Sequence, residues 1–197
     1  MSGIKRIKIT EFSSYLNERS AKAESCNQVI DDIYRQCIPL APGSEPKYVS
    51  KSDVGAMYDM IEGIDVILTL SDGSRVTLQE KVLFTTFRTA TFETKKTSGK
   101  PGAWFYCTAQ LYFVGYVSPD SGQVASYVLI DLARLKIEHN RNTLKWQHRK
   151  NNKEEREEEF MFIQFDDIPQ SCIIAIHNPK KQEPEIPIFD YYEPFNF

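Results

Sequence analysis

The stretch that most limits what this chain can fold into is residues 63–81, GIDVILTLSDGSRVTLQEK. Two runs of alternating apolar and polar residues flank Ser-Asp-Gly, which predicts a β-hairpin. A three-residue loop suits that tripeptide, with a type I turn followed by Gly73 in the left-handed conformation. Leu70 then pairs with Ser74. Counting back places Val66 opposite Leu78, Ile67 opposite Thr77 and Asp65 opposite Gln79. Side chains alternate between faces. One face carries Ile64, Val66, Leu68, Leu70, Val76, Leu78 and Val82, interrupted by Glu80; the other carries Asp65, Ile67, Thr69, Thr77, Gln79 and Lys81. A two-residue loop, Asp72-Gly73, would shift the register by one and set Asp65 against Glu80. The three-residue register is preferred because it keeps the apolar face contiguous.

Around this hairpin the chain alternates between helical and strand patterns. Leu16, Ala23, Val29, Ile30, Ile33, Tyr34 and Cys37 recur at three- and four-residue spacing, which predicts a helix over 11–38. Prolines and a glycine in PLAPGSEPKY break the chain, and SDVGAMYDMIEG predicts a second, short helix capped by Ser52 or Asp53. TTFRTATFETKKT reads as a third strand. AWFYCTAQLYFVGYV reads as helix or turn and then a buried strand, VASYVLIDL as a strand, and LARLKIEHN as a short helix. Residues 145–159 are almost all charged and read as a solvated excursion, followed by late strands in FMFIQFDDI and CIIAIH and a proline-rich aromatic tail. The expected fold is α/β (α+β), a central mixed β-sheet with flanking helices. We expect a single domain over 1–197, with its core at about 11–135 and the late strands and tail in 136–197.

Composition narrows the classes. With 41% hydrophobic and 26% charged residues among 197, the chain has the make-up of a globular domain with a sizeable core. No apolar run approaches the roughly 20 residues of a membrane helix, so no membrane partner is expected. MSGIKRIKITEF lacks the apolar segment of a signal peptide. Cys26, Cys37, Cys107 and Cys172 are scattered without a C-x-x-C, so free thiols in a reducing cytoplasm are expected rather than zinc or disulfides. The net charge of −3 does not point to nucleic acid by itself; the local distribution of charge decides that.

The polar end of the hairpin carries the chemistry. A carboxylate inside GIDVIL is costly unless it has a partner or a task. Cross-strand side chains lie roughly 5 Å apart at Cβ, so Asp65 and Gln79 could span a Mg²⁺ ion at about 2.1 Å from each oxygen, with Lys81 beside it. A plain salt bridge at a sheet edge would use the same residue types.

The order GID, turn, LQEK resembles the PD-(D/E)XK nuclease superfamily, whose core sets an acid on one strand and acid-x-Lys on the next. The neighbouring text is similar to a phage and bacterial group in that superfamily, with a Thr-rich strand ending in Glu (TATFE, Glu93) and an aromatic segment like GAWFYCTAQLYFVGY. The resemblance covers roughly 55–135. It implies a restriction-endonuclease-like core and a metal-dependent DNA endonuclease in a bacterial or phage-infected cytoplasm. The catalytic residues would be Asp65, Gln79 and Lys81. The metal, Mg²⁺ or Mn²⁺, would be held among Asp65, Gln79, Glu80 and Glu93. A further acid from a helix is implied, with Glu24, Asp31, Asp32 and Asp59 as candidates, and Gln110 as a polar helper. The departure is Gln79, where the superfamily usually has an acid. A neutral amide gives the metal one anionic partner fewer, unless Glu80 or Glu93 compensates.

Two basic regions supply the expected DNA contacts. Arg88, Lys95, Lys96 and Lys100 follow the hairpin. Arg134, Lys136, Arg141, Lys145, Arg149, Lys150 and Lys153 come later, with Trp146 as a stacking aromatic, and from these Arg141 and Lys145 are the chosen contacts. His139 and His148 read as ordinary polar residues. The competing functions are a nucleic-acid binder that has lost its chemistry at Gln79, and an assembly protein docking through IPIFDYYEPFNF. A second copy of the chain is the remaining partner to test.

Overall fold

The Ser-Asp-Gly loop sets the register that its chemistry predicts. In the computed structural model, which describes residues 26–49, 63–85, 87–118, 121–153 and 156–179, β2 (Val66–Thr69) pairs antiparallel with β3 (Arg75–Leu83). Val66 faces Leu78 and Ile67 faces Thr77. The Leu70 amide donates to the Ser74 carbonyl at 2.8 Å, and Gly73 has φ +82. Asp72 tightens the loop by accepting from the Ser74 amide and hydroxyl at 2.8 and 2.6 Å.

The fold is mixed α/β. The larger sheet has six strands in the order β1-β2-β3-β5-β6-β9, with β1 at Lys47–Tyr48, β5 at Leu111–Val117, β6 at Val124–Asp131 and β9 at Ile173–His177. All neighbours are antiparallel except β3 and β5, which run parallel. β5 is buried along its whole length, which explains its unbroken apolar sequence LYFVGYV. The second sheet is β4-β8-β7, from Thr89–Lys95, Arg156–Gln164 and Gln147–Lys153. Helix α1, over 26–37, covers one face of the large sheet with Cys26, Ile30, Ile33 and Tyr34. The second sheet, α2 (Ala103–Tyr106) and α3 (Leu132–Asn140) contribute Phe92, Met161, Trp104 and Leu135 to the core on the other face. Two tyrosines of β5 join the sheets. Tyr112 donates to the Thr91 carbonyl at 2.8 Å and Tyr116 to the Thr89 carbonyl at 2.7 Å.

Two expectations are corrected and one is placed. Residues 145–159 are not a solvated excursion: β7 and β8 pair across most of it, with Lys150 opposite Glu159 and 3.3 Å from its carboxylate. Opposite charges on facing strands let a charged sequence form a ladder. The Thr-rich strand forms as expected, as β4, but it belongs to the second sheet, and β5 lies beside β3. Ile64 does not share the face of Val66 and Leu68. The Asp65 amide donates at 2.8 Å to the carbonyl of Leu78, which already faces Val66, so the strand is irregular there. One displaced residue turns the next side chain over, and Ile64 joins Ala90, Phe92 and Trp104 on the opposite face. The 11–25 part of the first helix and the 52–62 helix, with Glu24 and Asp59, lie outside the described residues. No described helix is long and apolar enough to cross a membrane, and none of the four cysteines is in a disulfide.

Candidate functional site

The hairpin strands part company where the polar residues begin. The β2–β3 ladder ends at Val66–Leu78, while β3 continues through Gln79, Glu80 and Lys81 paired with Tyr112, Phe113 and Val114 of β5. Beyond Leu78 no described strand pairs with the β2 side of β3. Asp65 stands at that notch. Its carboxylate accepts the Glu80 amide at 2.7 Å, and its carbonyl accepts the Val49 amide at 2.8 Å. A carboxylate embedded in an apolar run is thus held by a charge-assisted bond to β3 just beyond the end of the β2–β3 ladder.

One face of the notch belongs to α1. Glu80 points that way, and Tyr34 donates to it at 2.7 Å. Burial pushes the Glu80 carboxyl up to about 7; the Tyr34 hydroxyl opposes the shift, and the charges of Asp65 and Asp31 add to it. Asp31, one helical turn before Tyr34, accepts from Tyr48 of β1 at 2.8 Å and is also raised, chiefly by burial. Burial raises both tyrosines as well, with Glu80 next in effect. Of the two described candidate helix acids, Asp31 acts on the Glu80 charge, whereas Asp32 pairs with Arg35 at 2.9 Å.

The other face holds Gln79 and Lys81, which alternation puts on the same side of β3. Burial lowers the Lys81 amine, and the charge of Glu93 on β4 opposes that shift. Glu93 is fixed by close packing. A Cβ on Gly102 would lie 2.3 Å from the Glu93 carbonyl oxygen, so only glycine lets α2 start against that strand. The three-residue register holds as far as Val66–Leu78, and the irregularity at Asp65 sets its carboxylate on the Glu80 amide rather than squarely opposite Gln79. Glu80 lies on the α1 face, away from Gln79 and Lys81. Among the described residues, no group of three or more His, Cys, Asp or Glu side chains is placed to hold a metal ion.

Gln110 is not at this site. Its side-chain oxygen accepts the Thr77 amide at 3.0 Å, four residues or about 13 Å along β3 from Lys81. The later basic region is largely engaged within the chain. Arg134 meets Asp131 at 3.2 Å, Arg141 meets Glu138 at 2.9 Å and Lys145 meets Asp167 at 3.8 Å. Lys136 donates to the Cys107 carbonyl at 2.8 Å. Trp146 does not present a stacking face; it packs among Phe92, Trp104 and His139, with ring centroids 5.6–5.9 Å apart. His139 belongs to that cluster, and His148 is exposed on β7. In the earlier basic region, Lys95 is 3.9 Å from Glu159, Lys96 lies over the Tyr106 ring at 4.6 Å, Lys100 is exposed and Arg88 is half-buried.

Sequence reasoning missed Tyr34 and Tyr48 as partners of the acids. The available signal was that a core tyrosine on a helix needs a partner for its hydroxyl. No family model, curated protein or solved structure matches this chain.

Proposed function

We propose that this protein is a metal-dependent DNA endonuclease that hydrolyses phosphodiester bonds at the notch where β3 outruns β2. The observation that carries this reading is the Asp65 carboxylate held by the Glu80 amide, with Gln79 and Lys81 on either side of that amide along one strand. The resemblance of GID…QEK to the PD-(D/E)XK superfamily supports it. The donor chemistry fits Mg²⁺, a hard cation that keeps several waters and is commonly held by one or two carboxylates plus substrate phosphate. Asp65 and the Gln79 amide oxygen would hold it, with Glu93 at hand beside Lys81. When bound, the metal polarises the phosphate and acidifies a water. Lys81 would orient the attacking water and offset charge developing on the phosphate oxygens. Glu93 favours the charged form of that buried amine. The setting that follows is the cytoplasm of a bacterial or phage-infected cell.

The second reading, a nucleic-acid-binding or assembly protein on the same fold without catalysis, is favoured by the Gln79 amide and by the lack of a three-acid cluster among the described residues. Asp65→Asn separates the two. On the endonuclease reading it loses Mn²⁺ binding by calorimetry and plasmid cleavage together. Unchanged Mn²⁺ affinity in this variant would take the metal away from the notch.

A further inference from the structure

Of the six aromatic residues between Trp104 and Val117, four are buried, Tyr106 is half-buried and Phe105 is exposed. Phe105, in the middle of α2, is 64% exposed, while its neighbour Trp104 is 6% exposed. Phe105 lines an open depression of about 380 Å³ together with Thr94, Lys95, Lys100, Pro101 and Glu159. The β4–α2 connection that carries the lysines is a tight turn. The Lys96 amide donates to the Lys100 carbonyl at 2.9 Å, and the Gly99 amide to the Lys96 carbonyl at 2.8 Å, with Gly99 at φ +76. Lys95 and Pro101 pair across it. Lys96 lies against Tyr106, next to Phe105 in the helix. Two acids share the rim. Glu159 is met by Lys95 at 3.9 Å and Lys150 at 3.3 Å, and Glu158 accepts from Thr97 at 2.5 Å. Lys95 and Lys100 line the depression against Glu159, and Lys96 stands beside them on Tyr106. The depression adjoins the notch, because Gly102 packs on Glu93 and accepts the Phe105 amide at 3.1 Å.

We propose that this surface binds single-stranded DNA, with a base stacked on Phe105 and the flanking phosphates beside Lys95, Lys96 and Lys100. An exposed aromatic face takes a base only when that base is out of a duplex, and lysines around it take the backbone without reading sequence. The assignment rests on the reading that the chain acts on DNA, and it extends the substrate to duplexes with a single-stranded arm or gap.

The test is fluorescence anisotropy in chelator, with labelled oligo-dT and a duplex of equal length. The variants are Phe105→Ala, Phe105→Trp and Lys100→Gln, and plasmid cleavage in Mg²⁺ is run separately. Phe105→Ala should weaken oligo-dT binding by about 5- to 100-fold and leave the duplex unchanged. Phe105→Trp should preserve the affinity, and Lys100→Gln should lower the salt slope by about 0.7. These results support the surface whether or not the protein cuts. A protein that cleaves plasmid while Phe105→Ala binds oligo-dT like wild type overturns the surface and leaves the endonuclease reading standing. Equal losses on duplex and oligo-dT, no oligo-dT binding by wild type, or a change of oligomeric state with oligo-dT affinity unaltered would each overturn it; the last would make this face a contact between copies of the chain.

Discussion

Glu80 is the residue on which burial and charge act most visibly. It sits under α1 with Tyr34, near Asp65 and Asp31, and its carboxyl is raised to about 7. A raised carboxyl means that the folded chain keeps a proton the unfolded chain releases, so stability is highest in acid and falls as pH climbs from about 4 to about 7. We expect wild type to lose about 2 kcal/mol between pH 5 and pH 8 through this group. Glu80→Gln keeps an acceptor for Tyr34 and should flatten that slope in urea titrations; equal slopes would show that Glu80 ionises freely. Gln79 carries the opposite experiment. Gln79→Glu adds an anionic oxygen at the notch, near Asp65. Without metal the added charge should repel its neighbours and lower the melting temperature in chelator, by roughly 2–4 °C per kcal/mol for a chain of this size. With Mg²⁺ the upward shift should exceed that of wild type. A variant that responds to Mg²⁺ no differently from wild type would mean that Gln79 does not face the metal. At this scale the sequence was half legible. Asp65 announced itself as an acid in an apolar run, but the backbone amide that satisfies it belongs to Glu80, and only the irregular pairing at Asp65 brings the two together.

The elements were legible wherever local chemistry decides them. Ser-Asp-Gly fixes the β2–β3 register without reference to the rest of the chain, and the apolar spacing of 26–37 marks a helix buried on one side. Pairings between distant segments were not. Nothing local in TATFETK says that it leaves the hairpin for β8, and nothing in a run of charges says that Lys150 will face Glu159. The aromatic segment hid a similar distinction. Trp146 lies in a charged stretch yet packs half-buried among rings, and Phe105 lies in an apolar stretch yet faces solvent. The two sheets are joined by hydroxyls that the sequence shows only as tyrosines in a buried strand. Tyr116 donates to the Thr89 carbonyl and also meets the Thr89 hydroxyl at 3.0 Å. Tyr116→Phe removes both bonds inside the core and should cost about 1–3 kcal/mol in urea denaturation. A loss below a few tenths of a kcal/mol would show that the Tyr116 hydroxyl contributes nothing to joining the sheets.

For the whole molecule, the arrangement follows from where strands stop. β2 begins at Val66 while β3 runs on beside β5, so that among the described strands Asp65 faces the part of β3 that β2 does not reach. α1 closes one face of that stretch with Tyr34, and β4 brings Glu93 to Lys81 on the other. An amine that burial pushes toward neutrality and a carboxylate drives back toward charge is suited to stabilise charge that appears only during a reaction. The central claim is that Lys81 does this for a phosphodiester. The direct measurement is single-turnover nicking of supercoiled plasmid in Mg²⁺, and in parallel Mn²⁺, by wild type and Lys81→Ala, with circular dichroism to establish that both are folded. The account predicts cleavage by wild type and a loss of about 100- to 1000-fold in Lys81→Ala. Wild type that leaves plasmid intact with either metal, or Lys81→Ala that cuts as fast as wild type, would contradict it.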